Sequence, residues 1–291
     1  MGPLDVVQLT PLMDRTIGRP EVNVGLIDGP VALNLPDLAG ANIREVPGKL
    51  RGACNRADTV ACSHGTFVSG ILVARRGSEA PAICPGCTLL LRPIFAETKN
   101  GRMPSASPEE LAEAIVDSVD AGARVVNLSS ALVQPSPRGE RVLEEALNYT
   151  TSHSVIMVVA AGNQGIVGSS AITRHPWVIS VAACNIQGKP LSDSNLGGSI
   201  GRRGLSAPGE GITSLGADGK PQTFSGTSAA APFVTGAIAL LWSEFPRATA
   251  SQIKLAATQA SGPRRATITP PLLDAWAAYH AMTSPSGAKR L

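Results

Sequence analysis

Three short segments place a carboxylate, an imidazole and a hydroxyl where acyl-transfer chemistry could use them. In Gly25-Leu26-Ile27-Asp28-Gly29-Pro30 the carboxylate of Asp28 ends an apolar run. In a parallel sheet that is where functional groups gather. His64, in Ser63-His64-Gly65-Thr66-Phe67-Val68, carries a group that titrates near neutral pH and stands where a helix is expected to begin. Ser228, in Gly226-Thr227-Ser228-Ala229-Ala230-Ala231-Pro232, opens a second, apolar helix. The unpaired N–H groups and dipole at such a terminus favour developing negative charge. Alone, each has an ordinary structural reading: a turn carboxylate, a histidine at a helix start, a serine N-cap. Together they are a nucleophile, a general base and an orienting acid, in the chain order Asp, His, Ser. The frame around Ser228 is not G-x-S-x-G, so an α/β-hydrolase elbow fails on both motif and order.

The elements that must position these groups read as alternating strands and helices, the pattern of a mostly parallel central sheet covered on both faces. The first strand is expected over 22–27, and a helix just after His64 through Phe67, Val68, Ile71 and Leu72. The short apolar run 88–94 reads as a buried strand. Ser107, Pro108 and Glu110 form a capping-box signature ahead of Leu111, Ile115 and Val119, with Gly122 at the end. Strands follow at 124–128, 154–160 and 177–181, with a helix over 139–152. The Ser228 helix should run to about 245, with Pro232 in its first turn, where proline is tolerated. Thr249 and Gln252 cap another helix. A final helix is expected over 266–282, with Leu272, Leu273 and Trp276 on its buried side. No repeat or linker interrupts the chain, so 1–291 is read as a single domain with its core over about 20–258.

With 43% hydrophobic and 16% charged residues the chain is globular. A net charge of +3 with 3% aromatics offers no basic-aromatic surface, which argues against nucleic acid as a partner. No apolar run reaches the roughly 20 residues that span a bilayer, so no membrane is expected. The start, Met1-Gly2-Pro3-Leu4-Asp5, carries no signal-peptide pattern. The expectation is a cytoplasmic protein, with a secreted mature form as the alternative.

D-G at the first strand's end, H-G-T, and G-T-S-x-A-x-P, in this order, resemble the subtilisin-like serine protease family over about residues 20–258. The resemblance implies a three-layer α/β/α subtilisin-like fold and a serine endopeptidase acting through an acyl-enzyme without a cofactor. Asp28, His64 and Ser228 would be its catalytic residues. Val158-Val159-Ala160-Ala161-Gly162-Asn163 looks like the family's oxyanion-hole segment, with Asn163 donating its side-chain amide beside the Ser228 N–H. The peptide substrate would lie as an added strand against Gly101, Arg102 and Met103 on one side and Ser129, Ser130 and Ala131 on the other. Family members usually carry S-x-G-G at the second place. Ser129-Ser130-Ala131-Leu132 would put side chains into that wall, giving a narrowed specificity pocket or one that accepts an unusual side chain. The loop Ala74-Arg75-Arg76-Gly77-Ser78-Glu79-Ala80-Pro81 is a poor oxygen cage for the calcium that secreted members carry, and no metal is expected.

Within the family the chain looks closest to the proteases of cyanobactin-type peptide maturation. The likeness rests on Asp28-Gly29-Pro30-Val31, the His64-Gly65-Thr66-Phe67-Val68 stretch, the short loop after it, and Leu91-Arg92-Pro93-Ile94-Phe95. Such proteases remove the leader of a ribosomal precursor peptide, while related ones cleave and macrocyclise. The macrocyclases carry a helical cap between Asp and His, and the 35 residues between Asp28 and His64 leave little room for one. Leader removal is favoured; a general degradative subtilisin, a macrocyclase and a peptide-binding pseudoprotease are the alternatives.

Five cysteines stand at 54, 62, 84, 87 and 184. The spacing invites two short disulfides, Cys54–Cys62 and Cys84–Cys87, with Cys184 left over. Reduced thiols and a four-cysteine zinc site are the other readings, the second disfavoured by irregular spacing.

Overall fold

The computed structural model describes residues 2–98, 105–129, 137–260 and 267–283. Its apolar runs pair side by side in one sheet made of β1 (Asn23–Asp28), β2 (Asn42–Glu45), β3 (Thr88–Pro93), β4 (Val125–Leu128), β5 (Ile156–Ala160), β6 (Val178–Cys184) and β7 (Leu205–Pro208). The strand order is β2-β3-β1-β4-β5-β6-β7, and every neighbouring pair is parallel. β1 is flanked by β3 on one side and β4 on the other, so the chain changes direction across the sheet there. The carboxyl ends of strands at such a switch point are where open α/β sheets bind ligands. A separate antiparallel hairpin, β8 (Ile212–Leu215) with β9 (Pro221–Phe224), packs against the Val60–Val73 helix.

Because successive strand residues face opposite ways, the sheet buries two cores. Val24, Leu26, Leu89, Leu91, Val125, Ile156 and Val158 join the helices Val60–Val73 and Thr227–Glu244. Ile27, Leu90, Val126, Leu128, Met157 and Val159 join Pro108–Asp120 and Leu143, Ala146 and Leu147 of the Pro137–Ser152 helix. Helix, sheet and helix make the three layers. Asp28 shares the parity of Val24 and Leu26, which turns its side chain toward the Val60–Val73 helix.

The capping box at Ser107 forms as the sequence predicts, with Ser107 Oγ accepting from Glu110 N at 3.1 Å and Glu110 Oε2 accepting from Ser107 N at 3.2 Å. Three elements differ from expectation. The histidine helix begins at Val60, not at His64, because Thr59 supplies an N-cap that accepts from Cys62 N. The Ser228 helix begins at Thr227, so Pro232 falls beyond its first turn. The final helix covers only Ala275–Thr283. Leu272 and Leu273 precede it, Leu272 bridging Ser206 of β7 and Leu273 N donating to Ser206 O at 2.9 Å. Pro270 and Pro271 deny that stretch the N–H groups a helix needs.

The cysteines also divide differently. Cys54 and Cys62 form a disulfide, whereas Cys84, Cys87 and Cys184 are buried thiols. The expected Cys84–Cys87 bridge is therefore corrected. Cys87 N donates to Cys84 O at 3.0 Å, closing a tight turn. The hydrogen bond between the two thiols and their burial hold the Cys84 thiol well above its ordinary range. Accepting that bond lowers Cys87, whose sulfur lies 3.9 Å from Ser243 Oγ. The four sulfurs do not gather into a metal cluster among the described residues. Burial alone pushes the Cys184 thiol up to about 11.

Candidate active site

Asp28 is the last residue of β1 and is 1% exposed. Its Oδ1 accepts from Gly29 N at 2.7 Å and lies 2.7 Å from His64 Nδ1. A carboxylate oxygen only accepts, so Nδ1 carries the hydrogen and the neutral ring presents a bare Nε2. The motif glycines make this contact possible. A Cβ on Gly29 would come within 2.0 Å of Ala61 O, and one on Gly65 within 2.4 Å of Gly29 O. Strand end and helix therefore meet backbone to backbone. Burial pulls the His64 pKa down, but the charge and hydrogen bond of Asp28 outweigh it, and the net shift is upward from 6.5. Phe224 of β9 stacks on the imidazole with centroids 6.3 Å apart and rings 24° from parallel. It also packs on Phe67 at 4.6 Å. The residue before the histidine is tied to the same strand, through a bond from Ser63 Oγ to Gln222 Oε1.

Ser228 is the second residue of its helix and half-buried. In the first turn its N–H has no intrahelical acceptor. Ile27 pairs with Leu128, so Asp28 and Ser129 are the next residues along adjacent strands. The Ser228 hydroxyl donates to Ser129 O at 3.0 Å, which draws the Ser228 helix to the same end of the sheet. With its single proton on that carbonyl, the hydroxyl must turn away from Ser129 O before it can give the proton to His64 Nε2.

Asn163, expected as an oxyanion donor, follows β5 on an exposed turn. Its Oδ1 accepts from Thr227 N at 2.8 Å and from Thr227 Oγ1 at 2.9 Å. Thr227 Oγ1 in turn accepts from Gly162 N at 3.1 Å. With Oδ1 held by two donors, Nδ2 is the half of the amide left to serve another acceptor. It passes beside Gly226, where a Cβ would come within 2.9 Å of it and where φ is +127°. Only glycine suits both conditions. Thr227 went unassigned in the sequence reading, although its place between Gly226 and Ser228 in the motif was the available signal.

Of the expected peptide-binding residues, Ser129 stands beside Ser228 and is 4% exposed. Gly101, Arg102, Met103, Ser130 and Ala131 lie outside the described residues. In the loop after the histidine helix, Arg76 donates to the carbonyls of Met13, Thr16 and Ile83, at 2.5, 2.8 and 3.2 Å. A guanidinium thus occupies carbonyl oxygens there. The one group of potential metal ligands among the described residues is Cys54, Cys62 and Glu97. Its sulfurs are bonded to each other, and Glu97 accepts from Asn55 and Arg56. No helix among the described residues is long and apolar enough to cross a membrane.

Residues 19–274 match the model of the subtilase family, peptidase S8. A thermostable alkaline protease of Halalkalibacterium halodurans is 30% identical over 192 residues, which are 66% of this chain and 50% of that protein. The chain thus spans about half the length of this curated relative. Among solved structures, the prenylagaramide maturation protease PagA is 29% identical with a TM-score of 0.81, covering 94% of this chain and 97% of the other. A mutant of the PatA protease domain is 29% identical with a TM-score of 0.81, covering 91% and 96%.

Proposed function

The chain belongs to the subtilase family, and on that premise we propose that it is a serine endopeptidase that matures a precursor peptide by removing its leader. The chemistry rests on one observation: the 2.7 Å Asp28–His64 pair at the sheet end where Ser228 opens its helix. Once the Ser228 hydroxyl turns from Ser129 O, His64 Nε2 takes its proton and Oγ attacks the scissile carbonyl carbon. The Ser228 N–H and Asn163 Nδ2 receive the oxyanion. Asp28 holds the tautomer and stabilises the imidazolium. His64 then gives its proton to the leaving amine as the C–N bond breaks, and a water activated by the same imidazole hydrolyses the ester.

Maturation, as against general degradation, is supported by the two maturation-type proteases that align over more than nine-tenths of this chain. Ser228→Ala should abolish covalent labelling by a fluorophosphonate; labelling at full stoichiometry would overturn the nucleophile. Incubating the enzyme with precursor peptides and weighing the products tests the substrate class. Linear leader and core fragments are expected. Rapid digestion of casein would overturn a dedicated processing role, and a core lighter by one water would identify a macrocyclase.

A further inference from the structure

Pro232 removes from the Thr227–Glu244 helix one N–H, the one that would bond the carbonyl four residues back. That carbonyl belongs to Ser228. The residue proposed as nucleophile therefore lacks an ordinary helical tie just where its geometry matters most. The structure supplies a substitute from outside the helix. Ser129 Oγ donates to Ser228 O at 3.4 Å, a long bond at the edge of the useful range. The same oxygen accepts from Asn127 Nδ2 at 2.7 Å, and Asn127 Oδ1 accepts from Thr235 Oγ1 at 2.8 Å. Thr235 stands on the Ser228 helix itself, about two turns further on.

The chain of bonds thus leaves the helix at Thr235, crosses β4 through Asn127, and returns at Ser228, closing a polar loop around the proline. The bonds donate in one direction, from Thr235 to Asn127 to Ser129 to Ser228; Ala231 O, at 3.2 Å, is a second and longer acceptor for the Thr235 hydroxyl. Asn127 and Thr235 are 0% exposed and Ser129 4%, in an otherwise apolar interface between sheet and helix. Buried polar groups in such a place are costly unless paired, and here both halves of the Asn127 amide are used. Ser129 also grips Ser228 a second time, its own carbonyl accepting the Ser228 hydroxyl at 3.0 Å. One residue therefore sets the position of both the carbonyl and the hydroxyl of Ser228.

We propose that Thr235, Asn127 and Ser129 are positioning residues for the nucleophile, replacing the hydrogen bond that Pro232 removes and fixing the helix turn that carries Ser228. This rests on the reading of Ser228 as nucleophile. If the same residues merely fill the core, their loss changes stability and leaves the reaction rate alone.

The test uses Thr235→Val, which keeps the shape and deletes the hydroxyl, and Thr235→Ser, which keeps the hydroxyl. Rates of fluorophosphonate labelling, and kcat and KM on a peptide substrate, are read well below each variant's melting temperature. Thr235→Val should slow labelling and lower kcat about tenfold, with KM within about twofold. Thr235→Ser should restore both, and adding Thr235→Val to Ser129→Ala should cost little beyond Ser129→Ala alone, since the two act through one chain of bonds. Wild-type rates in Thr235→Val, equal losses in the Val and Ser variants, or fully additive losses in the double variant would each overturn the proposal. Should Thr235→Val fail to fold, Ser129→Ala carries the same test, its labelling rate expected to fall while its KM holds. A wild-type chain that does not label at all overturns the catalytic reading and this inference with it. Labelling of the wild type with no slowing in the variants overturns this inference alone.

Discussion

The helices on the two faces of the sheet are built differently. Thr227–Glu244 buries nearly every residue along its length, and Val60–Val73 is buried from Gly65 to Val73. Both carry small residues and glycines that let backbones touch, and both present a residue proposed for catalysis, His64 or Ser228, near the sheet's carboxyl end. Pro108–Asp120 on the opposite face buries Leu111, Ala112, Ala114, Ile115, Ser118 and Val119 and leaves its acidic side to solvent. It is a self-sufficient amphipathic helix with a capping box and a single apolar stripe. One face sacrifices regularity to place chemistry, and the other supplies regular packing that holds the sheet. Substitutions on the first should register mainly in rate, and those on the second mainly in stability.

After the loss of Ser228 itself, the largest effect argued for the helix face proposed to carry catalysis comes from Asn163. Asn163→Ala removes the amide that Thr227 holds in place, and kcat should fall by roughly 10²–10³ with KM nearly unchanged. Steady-state kinetics on a peptide substrate, alongside a melting curve, checks this. A loss carried by KM would mean that Asn163 binds substrate without meeting the oxyanion. A loss carried by melting temperature would erase the contrast between the faces.

Protonation sharpens the contrast, because at His64 rate and stability run in opposite directions. The base must be neutral to accept the Ser228 proton, and Asp28 raises the imidazole pKa above 6.5 despite burial. The acid limb of kcat/KM should therefore have its midpoint above 6.5, with activity rising as pH rises. For folding the sign reverses, because the native state holds the proton more tightly than the unfolded chain. The stabilisation from this pair is fully present below the ordinary histidine pKa and is lost as pH rises through the raised one. In Asp28→Asn the charge that opposes burial is lost and at most a neutral hydrogen bond remains, so the acid limb should move to lower pH. An acid limb that stays put would remove Asp28 from the role of partner.

How much of this could be read from the chain follows the same division. Ser107, Pro108 and Glu110 announce their helix because capping and amphipathic period are local signals. The residues proposed for catalysis stand out in the sequence by type and order, since each lies in a short motif near an element's end. The polar chain behind Ser228 does not. Asn127 looks like strand filler and Thr235 like helix filler, and their bond joins residues 108 positions apart. Pro232 looks like a tolerated first-turn proline when the helix is expected to start at Ser228. With the helix beginning at Thr227 and the proline past the first turn, its missing N–H becomes a structural question. The Cys84–Cys87 spacing suggests a bridge, yet both are buried free thiols, with the Cys87 sulfur 3.9 Å from Ser243 Oγ on the distant helix.

The smallest effect tests the outer face. Ser107 caps its helix through the Glu110 N–H, and Glu110 returns the bond to the Ser107 N–H. Ser107→Ala removes the first of these and weakens the second, because nothing then fixes the turn that brings Glu110 back. The cost should be about 1 kcal/mol, seen as a drop in melting temperature of roughly 2 °C for a chain of this size. At 25 °C kcat/KM should be unchanged, since the capping bonds join only Ser107 and Glu110 and touch none of the residues proposed for catalysis. β1 and β4, which carry Asp28 and lead to Ser129, are held there by their pairing with each other and by the helices of the other face. A Ser107→Ala enzyme that lost activity without losing stability would show that the outer layer tunes the site as well as supporting it.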